Sequence, residues 1–98
     1  MARLEFEWDP RKAAANPRKH GISFDEAESV FQDEAALLIA DPEHSTRDDR
    51  FILLGLSSRI RALVVVHAYR EASGSIRLIS ARKASKSEKS LYERRRRS

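Results

Sequence analysis

Arg50, Arg70, Arg77 and Arg82 stand in or beside apolar, β-rich runs. Arginine at such positions suits phosphate binding, because its planar guanidinium stays protonated and can grip two phosphate oxygens at once. Glu71-Ala72-Ser73-Gly74 reads as a four-residue turn. A hairpin closed through it pairs Arg70 with Ser75 and sets Ala68 opposite Arg77, so that Arg70 and Arg77 share one sheet face. Two like charges on one face cost stability unless an anion is expected there, and this directs a substrate phosphate to that spot. The plainer alternative pairs each arginine with Glu71, Glu88 or a helix carboxylate.

For proton transfer the best candidate is His20, whose side chain ordinarily titrates near neutrality, with Lys19 beside it. Both also suit the last turn of a helix, where cations meet the negative end of the dipole. His67, inside Leu-Val-Val-Val-His-Ala, reads as a buried strand residue, and His44 as a loop residue. The chain has no cysteine and three scattered histidines, so no metal site is expected. No small-molecule cofactor is expected either. Trp8 and Phe24 fit core periodicity better than base stacking.

The charge distribution supports a polyanion-facing surface. Residues 1–49 hold 6 Lys/Arg against 12 Asp/Glu, whereas residues 50–98 hold 13 against 3. The second half remains strongly basic even without the Arg94–Arg97 run, which fits nucleic acid as a partner. With 98 residues, 41% hydrophobic and 35% charged, the chain is expected to form one domain over residues 1–98 around one core. No apolar run approaches the roughly 18 residues that span a bilayer. With no signal-like start, the expected compartment is the cytoplasm, without a membrane partner.

The elements that must position these residues follow from periodicity. Residues 3–8 alternate charged and apolar, a strand with Leu4, Phe6 and Trp8 facing the core. Asp9-Pro10 starts a helix that runs to His20 and stops at Gly21, with a kink or break expected near Asn16 because of Pro17. Asn16 itself reads as a hydrogen bonder on the helix surface. Ser23-Phe24-Asp25-Glu26 is a capping box, opening a second helix that buries Phe24, Ala27, Val30 and Phe31 and ends near Gln32. Residues 35–40, 51–56, 62–69 and 75–82 read as strands. A second capping box, Ser85-Lys86-Ser87-Glu88, opens a last helix whose large apolar residues are Leu91 and Tyr92, so it is expected to dock loosely. Glu88 and Tyr92 share a face there, where Tyr92 either reaches a cleft or packs on the sheet. The class is α+β in the order β-α-α-β-β-β-β-α, a mostly antiparallel sheet with two N-terminal helices on one face and a C-terminal helix.

Several segments taken together resemble a known family. They are Phe6-Glu7-Trp8-Asp9-Pro10 with Lys12 and Asn16, Lys19-His20-Gly21-Ile22-Ser23-Phe24-Asp25-Glu26-Ala27, Val30-Phe31, Asp41 with His44, and Arg50-Phe51 with Gly55. Arg77-Leu78-Ile79-Ser80-Ala81-Arg82-Lys83-Ala84 follows, with Glu88 and Tyr92 after it. In order and over nearly the whole chain they resemble BrnT, the toxin half of a type II toxin–antitoxin pair, related in fold to the RelE ribonucleases. Pro17 and the Tyr69-Arg70 pair depart from that pattern.

The resemblance implies a RelE-like fold, metal-independent RNA cleavage that inhibits translation, and neutralisation by a cognate DNA-binding antitoxin. On this reading the catalytic set is Lys19, His20, Arg50, Arg70, Arg77 and Arg82, with Lys83, Lys86 and Tyr92 as further RNA contacts. The alternative is a non-catalytic module that binds nucleic acid or docks an antitoxin.

Overall fold

The computed structural model of the protein describes residues 4–41 and 50–97. Most of the polar loop read after Asp41, including His44, lies outside the described residues. Strand β1 (Glu5–Trp8) leads into helix α1 (Pro10–His20), helix α2 (Phe24–Ser29) and one 3-10 turn (Val30–Gln32). Strands β2 (Leu37–Ala40), β3 (Arg50–Leu56), β4 (Ala62–Arg70) and β5 (Ser75–Lys83) follow, and helix α3 (Lys86–Arg97) comes last. The five strands form one sheet in the order β1-β5-β4-β3-β2. All pairings are antiparallel except β1 with β5, which is parallel.

Helix α1 begins as its residues dictate: Asp9 accepts the Arg11 N–H at 2.8 Å, and Gly21 closes the other end at φ 73°. The break expected at Pro17 does not occur. Helix α1 continues through Pro17 for one more turn to His20, and the Pro17 carbonyl accepts the Gly21 N–H. The residue before it is also held from outside the helix. Asn16 is buried rather than on the surface: its Nδ2 donates to the carbonyls of Ile22 and Ala81, both at 2.8 Å, and its Oδ1 accepts the Ala81 N–H at 3.1 Å.

Helix α2 forms half of its expected capping box. Ser23 Oγ accepts the Glu26 N–H, but the Glu26 carboxylate turns instead to Arg61, at 2.6 Å, and to Ser57. The guanidinium beside it holds that carboxyl below its ordinary range. This ion pair ties α2 to the β3–β4 turn.

The sheet buries apolar side chains on both faces, so there are two clusters where one core was expected. A five-stranded sheet with apolar residues on both sides needs a cover on each. On one face Ile22, Phe24, Ala27 and Val30 pack on Leu53, Leu63, Val65 and Leu78, with Phe6 and Trp8 against them. Trp8 meets Phe24 edge to face at 5.9 Å, which settles both rings in the core. Leu4, expected inside, is 53% exposed just before β1.

On the other face α3 covers Leu54 and Val64 through Tyr92 and the preceding Ala84. Tyr92 is 2% exposed, and its hydroxyl donates to Asp33 at 2.6 Å. Burial, with the Asp33 carboxylate next in effect, pushes that phenol up to about 12. The α3 capping box is complete: Ser85 Oγ accepts the Glu88 N–H, and Glu88 accepts the Ser85 N–H at 2.7 Å. Glu88 also takes Arg82 as a two-pronged partner, at 2.8 and 2.9 Å.

Acid is therefore expected to loosen α3. The Arg82 guanidinium, helped by Ser85, holds the Glu88 carboxyl down at about 2, against 4.5 when free. A carboxyl depressed by folding stabilises the fold above its unfolded pKa, and that contribution is lost as pH falls from the unfolded towards the folded value. After screening, about 1–2 kcal/mol is at stake. Helical circular dichroism followed downward from roughly pH 5 should show wild type losing stability relative to Glu88→Gln across this window. Parallel curves would remove the contribution.

Candidate active site

The β4–β5 register runs as the turn chemistry predicts: Arg70 pairs with Ser75 and Ala68 with Arg77. Between Leu78 and Ser80 the register shifts by one, a bulge at Ile79. Arg50 of β3 stands on the other side of Ala68, and Glu7 of β1 on the other side of Arg77. One row across four strands therefore reads Arg50, Ala68, Arg77, Glu7, with Arg70 two residues along β4 on the same face.

This is the face that α3 covers, but only at its other end, over Leu54 and Val64. Beyond the helix the sheet opens into a cleft of about 620 Å³ whose walls include Lys12, Arg50, Arg70 and Arg77, with Ala68, Ile79 and the acid Glu71. A methyl group between two arginines leaves their guanidinium groups room above it. Arg50 and Arg77 are about 10 Å apart at the backbone, two strand spacings, a separation that long side chains can close around one anion.

The acid that meets these arginines is Glu7, which sequence reasoning did not single out. Its Oε1 is 3.0 Å from Arg70 Nε and 3.8 Å from Arg77 Nη1. Lys12 was also missed as a wall of the cleft. Both depend on the parallel β1–β5 pairing, for which no local signal exists in the sequence. Tyr69, 47% exposed, lies between Ala68 and Arg70 on β4 and so turns its ring to the opposite sheet face, in a hollow with His67 and Ile76.

The other expected residues lie elsewhere. Arg82 is on the same sheet face but outside the cleft walls, engaged by Glu88 at the start of α3. Lys19 and His20 end α1, eight residues from Lys12 in the case of His20. That is about 12 Å along the helix axis, whereas direct proton transfer needs about 3 Å. Gly21 beside them accepts from Arg61, at the end of β4 opposite to Arg70. Lys83 lines a separate hollow with Arg61, Lys89 and Tyr92, and Lys86 sits on the outer side of α3 with Arg94 and Arg97. Tyr92 is buried against the sheet and bound to Asp33, so its ring is not presented to a nucleic acid base; it docks the helix. His67 is buried, touching Phe31 edge to face at 4.8 Å, and burial pushes it down from its ordinary value.

Among the described residues no three His, Asp or Glu side chains converge as a metal site would require. Among the described residues no helix is long and apolar enough to cross a membrane. Residues 8–88 match the family described as the ribonuclease toxin, BrnT, of type II toxin–antitoxin systems. The chain belongs to the BrnT family. Its fold also matches the crystal structure of the Brucella abortus ribonuclease toxin, BrnT, with a TM-score of 0.64 and 24% identity, covering 86% of this chain and 100% of that one. No curated protein matches. The BrnT assignment covers the end of β1 through the first turn of α3 and so contains every residue named as lining the cleft, whereas Glu7 lies one residue before the matched span.

Proposed function

We propose that this BrnT-family chain cleaves single-stranded RNA without a metal, using the substrate's own 2′-hydroxyl as nucleophile, and that its reaction centre is the arginine cleft. The observation that carries this reading is the grouping of Arg50, Arg70, Arg77 and Lys12 around one open cleft on the uncovered part of the sheet. In-line attack at phosphorus builds a doubly charged phosphorane. Fixed cations aimed at that charge are the largest contribution a protein can make to such a step. Arg82 supports the cleft indirectly, by fixing the start of α3.

On this proposal such cleavage in the cytoplasm inhibits translation, and a cognate DNA-binding antitoxin restrains it, a reading supported by membership of a toxin–antitoxin family. An acidic segment of that antitoxin laid over the cleft would replace phosphate at low electrostatic cost.

The test is incubation of the purified, partner-free protein with a defined single-stranded RNA in EDTA, with the chemistry of the new ends identified. Cyclic or 3′-phosphate ends with 5′-hydroxyl partners are expected. Cleavage only with added divalent metal, or 5′-phosphate ends, would overturn the 2′-hydroxyl route. Salt-dependent binding without any product would leave a nucleic-acid-binding module instead.

A further inference from the structure

Glu7 stands beside the arginine wall of the cleft, next to the residues that line it. Its carboxylate meets both Arg70 and Arg77 through Oε1, and its side chain remains 40% exposed. Ion pairs this open contribute about 0–1 kcal/mol, so stability gives little reason for an acid beside two cations of the cleft. Glu7 is also held in register: its backbone pairs with Arg77 in the parallel β1–β5 ladder, inside a strand whose next residue, Trp8, packs in the core. The carboxylate is thus held against two arginines of the cleft by a rigid element, with Oε2 outside both contacts.

We infer that Glu7 is the proton acceptor of the reaction, an inference that rests on the ribonuclease reading above. With the scissile phosphate gripped by the arginines, the Glu7 carboxylate takes the proton of the adjoining 2′-hydroxyl as that oxygen bonds to phosphorus. The bond from phosphorus to the 5′ oxygen breaks, its electron pair leaves on that oxygen, and water at the open mouth of the cleft protonates it. The products are a 2′,3′-cyclic phosphate and a 5′-hydroxyl, and Glu7 returns its proton to solvent. Substrate binding itself readies the base. The incoming phosphate competes for the guanidinium groups that Glu7 meets in the free protein, which leaves the carboxylate free to turn to the 2′-hydroxyl. His20, the candidate from sequence, is too far along α1 for this step.

Glu7→Gln keeps the size and an acceptor for the arginines but cannot take a proton. Two quantities separate the possible roles: the single-turnover cleavage rate, and the affinity for the same RNA with a 2′-deoxy sugar at the cleavage position, which cannot react. The expected result is a rate lower by about 10²–10³-fold, with analogue affinity retained or tightened. Formate added to Glu7→Ala should restore part of the rate, which a bracing role would not allow. A rate kept or raised in Glu7→Gln, or rate and affinity falling together, would overturn the assignment. If wild type leaves the all-ribose RNA intact, the ribonuclease reading fails and the role of Glu7 with it. An active wild type beside an equally active Glu7→Gln removes Glu7 alone.

Discussion

Replacing Arg70 and Arg77 together by alanine is expected to lower RNA cleavage by on the order of 10³-fold or more, while the protein stays folded. Loss of one fixed donor to a developing oxyanion typically costs about 10²- to 10³-fold, and these two residues address the same region of charge. They border one cleft from adjacent strands, at positions fixed by the β4–β5 register. The fold should tolerate the change. Arg70 is 54% exposed and Arg77 34%, and the partner they share, Glu7, remains solvated without them. Open pairs of this kind are worth about 0–1 kcal/mol each, so the thermal midpoint should move by only a few degrees. Cleavage on a defined single-stranded RNA and a thermal melt are read side by side. Undiminished cleavage with an unchanged melt would remove the cleft as the reaction centre. A collapse of the melt would instead mean that the arginines hold the sheet together.

The largest effect on stability is expected at Asn16. Its side-chain amide answers three backbone groups, the carbonyls of Ile22 and Ala81 and the N–H of Ala81, from a site only 4% exposed. Asn16→Leu keeps the approximate volume but leaves all three groups buried without a partner, each costing about 1–3 kcal/mol. A loss of about 3 kcal/mol or more follows, which for a domain of this size lowers the thermal midpoint by roughly 12–24 °C. Asn16→Asp tests the cause. It fills the same space and still accepts from Ala81, but faces two carbonyl oxygens with an acceptor, so it should be as damaging as leucine. If aspartate is tolerated and leucine is not, shape rather than hydrogen bonding decides. The clamp also joins α1 to β5, so its loss should displace Lys12 relative to Arg77 and reduce cleavage in molecules that still fold.

Much of the architecture is encoded locally. The alternation of β1, the Asp9-Pro10 start and Gly21 stop of α1, the Ser85 capping box and the turn at residues 71–74 each act within a few residues, where backbone sterics and short-range hydrogen bonds dominate. Because the side-chain period of a strand is two, the length of the turn alone suffices to put Arg70 and Arg77 on one face. The basic second half and the resemblance to BrnT then point to RNA.

Where expectation and fold part, the deciding contact spans a long stretch of chain. Glu26 is a capping residue by spacing, yet Arg61, thirty-five positions away, offers a cation that outcompetes a backbone N–H. Asn16 is polar on a helix by spacing, yet Ala81 presents a sheet backbone that needs it. Arg82 resembles its fellow arginines until α3 brings Glu88 to it. By spacing Tyr92 can reach a cleft or pack on the sheet, and Asp33 with the second sheet face decides for packing. The sequence by itself determined the elements, their caps and the shared face of two arginines, since these follow from local geometry and periodicity. Only the tertiary structure decided that β1 runs parallel beside β5, and with it that Glu7 and the Lys12 end of α1, rather than the His20 end, come beside the arginines, because no short-range interaction encodes which distant strands become neighbours.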